Sequence, residues 1–291
     1  GGKNWAYSES GFNEDYTIEN IVTWDKKLEN KHNINLTGLF SFQENKKEMN
    51  KLDSYDYYDD NVQYHNPGLA QSGLNGGGIF IKSSILSWMG RLNYNYKEKY
   101  LLTTTIRQDG SSVLADGNKW DTFPSIAIGW NLIRENFMRK FNFISKLKFR
   151  GSLGSVGNAA INPYQTLALL DRDRYILGSD GVMGVYPKSV PDKSLKWERT
   201  KTLNFGVDFG FLSNRITVAL EVYQQKTTNL LLQITLPPTS GYTNHVTNIG
   251  ATKSISIERM EKTTRIDSLT ILRTQRAIRY TPALAPTASL F

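Results

Sequence analysis

The sequence predicts an all-β chain, an antiparallel transmembrane β-barrel fragment of about ten strands of a larger barrel, with long loops on one side. Three observations lead there. Apolar and polar residues alternate with period two in segments close to the ~9–11 residues that a tilted membrane strand needs. Tight polar turns alternate with long loops, the asymmetry expected of outer-membrane barrels. No apolar run approaches the ~18 residues of a membrane-spanning helix, and the mean hydropathy of −0.43 is what a wall with one apolar and one wet face averages to.

The first expected strand covers residues 15–26, with Tyr16, Ile18, Val22 and Trp24 on one face. The second, 32–43, sets Ile34, Leu36, Phe40 and Phe42 against Asn33, Asn35, Thr37 and Ser41. A short polar turn joins them. Residues 44–82 lack clear periodicity and are expected to form a long loop, with an acidic-aromatic run over 53–64 and three glycines, Gly76, Gly77 and Gly78. Alternation returns over 85–96 and 99–108, joined at Lys97-Glu98. It continues over 123–132 and 146–156, with a helical turn expected within 134–145. A second long loop, 157–196, precedes the clearest hairpin. There Leu203, Phe205, Val207, Phe209 and Phe211 face Ile216, Val218, Leu220 and Val222 across Leu212-Ser213-Asn214. Shorter strands are expected over 230–236 and 242–250. A soluble β-sandwich predicts the same alternation, but with strands near five or six residues.

Composition narrows the function classes. Cysteine is absent, which excludes a disulfide framework and thiolate metal sites. Aromatic residues reach 12%, which suits a membrane interface and equally a sugar-stacking groove. Half of the net charge of +8 lies from Lys253 onward. No groove-reading helix, zinc-finger spacing or RNA-binding signature accompanies that charge, so no nucleic acid is expected as a partner. The amino-terminal residues carry no signal-peptide pattern, and the chain is expected to start within a larger protein. Alternation fades over 254–291, so the expected domains are a partial barrel over 1–253 and an aberrant tail over 254–291, disordered or produced by a reading-frame change near Lys253.

Ordered stretches in the middle of the chain carry a family resemblance. Gly90-Arg91-Leu92-Asn93-Tyr94-Asn95-Tyr96, Lys99-Tyr100-Leu101-Leu102 and Arg107-Gln108-Asp109-Gly110-Ser111-Ser112 resemble a stretch of the SusC/RagA family of TonB-linked outer-membrane proteins. Phe123-Pro124-Ser125 with Gly129-Trp130, Leu147-Lys148-Phe149-Arg150-Gly151-Ser152 and Leu195-Lys196-Trp197-Glu198 continue it in order. So do Asn204-Phe205-Gly206-Val207-Asp208, Leu236-Pro237-Pro238-Thr239-Ser240-Gly241-Tyr242 and Asn248-Ile249-Gly250. The resemblance implies part of a TonB-dependent receptor in the bacterial outer membrane that imports oligosaccharides or peptides. It also implies a SusD-like surface lipoprotein as a lid, and the TonB complex as an energy source acting through a plug region that has no counterpart here.

Candidate sites are sparse. Tyr55, Tyr57 and Tyr58, interleaved with Asp53, Asp56, Asp59 and Asp60, could stack on a sugar, and Tyr164 and Tyr175 in the second loop are further possible substrate or lid contacts. The aspartates do not fit a calcium loop, since Tyr58 stands at the turn glycine and Tyr64 at the bidentate glutamate. His32, His65 and His245 have no companion at metal-ligand spacing. No nucleophile elbow or phosphate loop is present. Asp171 and Asp173 beside Arg172 and Arg174 read as surface ion pairs rather than a glycosidase pair. No enzyme activity and no cofactor are expected. The terminal Phe291 matches the aromatic end of outer-membrane barrels, but without alternation over 283–290 it reads as coincidence. The alternative function is a soluble or surface β-sandwich module that binds glycans, and a structural adhesin fragment is a third.

Overall fold

In the computed structural model, residues 4–59, 61, 65–242, 244–263 and 273–280 are described. Asp60 and Tyr64 of the acidic-aromatic run, and the Pro-containing tail that ends at Phe291, lie outside them. The strands are β1 (Trp5–Leu28), β2 (His32–Tyr55), β3 (Ser72–Tyr96), β4 (Tyr100–Ser111), β5 (Trp120–Asn131), β6 (Ile144–Asn158), β7 (Leu170–Leu177), β8 (Asp180–Pro187), β9 (Glu198–Phe211), β10 (Ile216–Thr228), β11 (Leu231–Thr235), β12 (Asn244–Asn248), β13 (Ala251–Thr263) and β14 (Arg273–Tyr280). Ten of them form one sheet in the order β1-β2-β3-β4-β5-β6-β9-β10-β13-β14. β7-β8 and β11-β12 are separate hairpins. Among the described residues no helix is long and apolar enough to cross a membrane.

The register turns the sequence alternation into two continuous faces. On one, Leu102 pairs with Ile128, Ile128 with Gly151, Gly151 with Phe205, Phe205 with Val222 and Val222 with Ile257. On the other, Thr103 pairs with Ala127, then follow Ser152, Asn204, Tyr223 and Ser256. The apolar face is open: Ile128 is 60%, Phe205 59% and Ile257 53% exposed. A β-sandwich buries such rows against a second sheet, so the exposed rows contradict that alternative. The polar face is cross-linked by its own side chains. Arg150 reaches Asp208 at 3.2 Å and Glu221 at 3.5 Å, and Lys146 reaches Asp208 at 3.4 Å.

Two compact units divide the chain. One comprises 1–18 and 41–85, the other 19–40 and 86–291. The portions of β1, β2 and β3 inside the second unit are 19–28, 32–40 and 86–96, close to the length of a membrane strand. In the first unit the same strands run on, β2 with polar side chains on both faces over 44–48 and β3 with glycines at 76–78, which corrects the expectation of a loop over 44–82. Only 56–71 lies between β2 and β3, and Gly76, Gly77 and Gly78 lie within β3. Period-two patterning fails here because neither face is apolar, while the backbone ladder is indifferent to side-chain polarity. Ion pairs join the strands instead: Lys51 to Glu9 at 3.5 Å and Lys82 to Glu44 at 2.9 Å. Lys46 adds a cation over the rings of Phe12 and Phe80. At Gly11 the strands approach so closely that a Cβ would fall 2.3 Å from the Glu48 carbonyl oxygen.

Two further expectations change. The second long loop contains the β7-β8 hairpin. The segments expected as wall strands over 230–236 and 242–250 pair with each other as β11-β12, and β10 continues in the sheet to β13. β13 pairs with β10 as far as Thr263, and β14 pairs with β13. The turn expected within 134–145 is present as two short 3-10 segments, Leu132–Arg134 and Asn136–Lys140.

Candidate functional site

Opposite the tight turns, the connections between strands of the second unit fold into a small core. Val113, Leu114 and Ala115 from the β4-β5 loop, Phe123 of β5, and Leu195 and Trp197 before β9 are all buried, with Leu195 fully so. Ala159, Ile161, Leu231 and Val246 pack against them. Phe123 and Trp197 meet edge to face with centroids 5.5 Å apart, a preferred aromatic geometry. Gly157 makes room for this pair, since a Cβ there would lie 2.1 Å from the Phe123 ring.

Hydrogen bonds fix the loops around the core. The Ala115 N–H donates to Leu195 O at 3.1 Å, and Trp197 Nε1 donates to Lys119 O at 2.9 Å. The Asn248 amide ties three segments: its Nδ2 donates to Lys196 O and Asn229 O, each at 2.9 Å, and its Oδ1 accepts from the Lys196 N–H at 2.8 Å. Glu198 accepts from the Leu231 N–H at 3.1 Å. Arg199 lies over the Phe123 ring and pairs with Asp121. At the strand end below, Arg107 holds Asp109 at 2.7 and 2.9 Å and reaches the buried Ser87 hydroxyl at 3.0 Å.

Asp192 sits at the edge of this core. Its Oδ1 accepts from the Ser194 N–H at 2.7 Å and from the Ser194 hydroxyl, and its Oδ2 lies 3.9 Å from His245 Nε2. Burial pushes its carboxyl up, but hydrogen bonds from Ser194 and Thr247 and the nearby His245 outweigh burial and hold it below the ordinary aspartate range. The group is a structural clasp between the 188–197 segment and β12. The Ser194 hydroxyl is turned to the carboxylate and not to the imidazole, which is the wrong arrangement for a nucleophile activated by a base.

The tyrosines singled out from the sequence fall in different settings. Tyr57 is buried, its hydroxyl 2.6 Å from Ser54 Oγ and its backbone clamped by Asn4. Tyr58 beside it is 88% exposed and Tyr55 half-buried. Asp56 receives the Ser72 hydroxyl and Asp59 caps Asn61, so these carboxylates serve turns. Tyr164 is half-buried in a turn with φ of +69°. Tyr175 of β7 lies across Gly184 of β8 and remains half exposed. Face by face, β7-β8 carries Asp171, Asp173, Tyr175 and Tyr186 on one side and Arg172, Arg174, Met183 and Val185 on the other. Among the described residues no cluster of three or more His, Cys, Asp or Glu could hold a metal ion.

Asp192, Val113, Leu114 and Ala115 had no signal in the sequence, and Phe123, Leu195 and Trp197 stood out only as family landmarks. Leu195, Trp197, Glu198 and Asn248, scattered along the chain, converge on this one structure.

Comparison with known proteins agrees with that convergence. Residues 2–258 match the family described as TonB dependent receptor-like, beta-barrel. TonB-dependent receptor P3 of Formosa agariphila is 36% identical over 239 residues, covering 80% of this chain and 23% of that protein. TonB-dependent receptor SusC of Bacteroides thetaiotaomicron is 37% identical over 183 residues, 61% of this chain and 18% of that protein. The chain thus spans about a quarter or less of the curated relatives it matches. A solved structure described as the RagAB peptide transporter superposes with a TM-score of 0.81 at 21% identity, over 90% of this chain and 29% of that one. The exposed apolar face, the polar face behind it and the family match over most of the chain lead to one assignment: this chain belongs to the TonB-dependent receptor β-barrel family.

Proposed function

We propose that this segment forms part of the wall and outer rim of a transporter in the bacterial outer membrane. The transporter imports oligosaccharides or peptides, is driven by the TonB complex through a plug, and is capped by a SusD-like lipoprotein. The open apolar rows of the main sheet face lipid, and the polar rows bearing Arg150, Asp208 and Glu221 face the lumen. One observation carries the reading. The connections at one end of the sheet are fixed into a buried core around Leu195 and Trp197, which is what holds binding loops in a set position over a channel. Beyond that core the β7-β8 hairpin carries Tyr175 and Tyr186 on one face with Asp171 and Asp173; the first unit, taken by itself, exposes Tyr58 and holds Tyr55 half-buried. These are the proposed contacts for substrate or lid, together with Tyr164, while Tyr57 is buried next to Tyr58 and held by Ser54 and Asn4.

The test is complementation. Cells lacking the receptor are given the full-length gene or a version with 170–187 replaced by a short linker, and uptake of a labelled oligosaccharide or peptide pool is measured. The expected result is uptake with the full gene and a drop of about tenfold without the hairpin, at equal receptor levels in the outer-membrane fraction. Equal uptake by both versions contradicts the assignment of the hairpin, and recovery of the receptor outside that fraction contradicts the transporter.

A further inference from the structure

The tight-turn end has an unusual connection between β5 and β6. Residues 132–143 fold back on the apolar side of the sheet, where Glu135 accepts three hydrogen bonds: from Lys99 Nζ at 2.9 Å, Tyr100 OH at 2.9 Å and Trp130 Nε1 at 3.2 Å. Tyr100 and Trp130 belong to the apolar face and pair directly in register, so this knot sets the segment on that side. Met138 is buried beneath it, whereas Phe137, Phe141 and Phe143 are 56%, 45% and 57% exposed. The Leu212 N–H donates to Phe143 O at 3.0 Å, and Leu212 is itself 56% exposed, so the apolar rim runs on into the β9-β10 turn. Arg139 and Lys140 are exposed beside these rings and have no ion pair among the described residues. Lys99 and Arg134 nearby are instead occupied by Glu135 and Glu98.

Rings that leave an apolar sheet face and meet unpaired cations match the chemistry of a bilayer interface, where apolar groups enter the acyl boundary and cations meet phosphates. We propose that residues 136–143 are an interfacial foot that binds anionic phospholipid, with Phe137, Phe141 and Phe143 in the acyl boundary and Arg139 and Lys140 on the headgroup phosphates. This rests on the membrane placement argued above. Charge complementarity favours an anionic lipid over a zwitterionic one, because Arg139 and Lys140 have no carboxylate partner among the described residues. The three-way bond at Glu135 keeps the foot against the wall rather than free below it.

The experiment uses the full-length transporter in nanodiscs of phosphatidylcholine, with a bimane label at Asn136→Cys. A second label at Ile128→Cys reports on the apolar face. Trace brominated phosphatidylglycerol or brominated phosphatidylcholine quenches each label. The expected result is that the anionic lipid quenches position 136 several-fold more strongly per mole than the zwitterionic one, about fivefold for each surface cation that contributes. High salt and the R139Q/K140Q variant reduce the preference toward unity, while quenching by phosphatidylcholine stays as it was and certifies the fold. Equal quenching of position 136 by both lipids, or a preference that survives in the variant, overturns the foot. Quenching at 128 but not at 136 overturns the foot alone, and quenching at neither position overturns the membrane placement together with it.

Discussion

At the scale of single residues, the loop core depends on a few side chains whose roles follow from geometry. Asp192 offers the clearest test. Its carboxyl is held below the ordinary aspartate range in the folded chain despite burial, so the folded state binds a proton less readily than the unfolded one. The sign follows by linkage. The stabilisation is fully present above the unfolded value of about 3.9 and is lost as pH falls through the lower folded value. Backbone amides of 192–197, measured by hydrogen exchange corrected for its intrinsic pH dependence, are expected to keep their protection at neutral pH and lose it in acid. Asp192→Asn is expected to lower protection at neutral pH and to flatten the pH response. A variant with the parent's full acid response would show that Asp192 is not the titrating clasp. None of this was legible in the sequence. Trp197 and Lys119 are bonded across 78 positions, and a contact of that span leaves no trace in local spacing.

Individual strands were legible in proportion to the contrast between their two faces. β9 and β10 have one apolar and one polar face, and they stand where alternation puts them. The first-unit parts of β2 and β3 do not alternate, because 44–48 is polar on both sides and 76–78 is glycine, and ion pairs such as Lys51–Glu9 join the strands, so they read as loop. β11 and β12 were recognised as strands, but period does not say which strand a partner will be, and they pair with each other rather than with the wall. The face assignment carries its own prediction in β5. Ile128 lies in the open apolar row and Ala127 between Thr103 and Ser152 on the polar side. In the full-length protein folded into lipid vesicles, Ile128→Lys is expected to destabilise by ~2–4 kcal/mol, the value for a cation near the bilayer midplane, and Ala127→Lys by well under half of that. Similar losses at the two neighbours would mean that the faces are not in different solvents.

At the scale of the molecule, the main sheet of the described residues runs from β1 to β14, and a sheet edge left unpaired invites aggregation. The chain spans about a quarter or less of the relatives it matches. The proposed placement puts the apolar rows of this sheet against lipid and keeps the polar rows out of it. The chain has no cysteine, so with any cysteine elsewhere in the full-length protein replaced, single nitroxides can be placed one at a time from 124 to 130 along β5 in liposomes. Collision with oxygen is predicted to peak at 124, 126, 128 and 130 and to dip at the odd positions between them, while collision with a water-soluble nickel chelate stays low at the even positions. Nickel collisions that peak at the even positions, or an oxygen profile without a two-residue period, would contradict it.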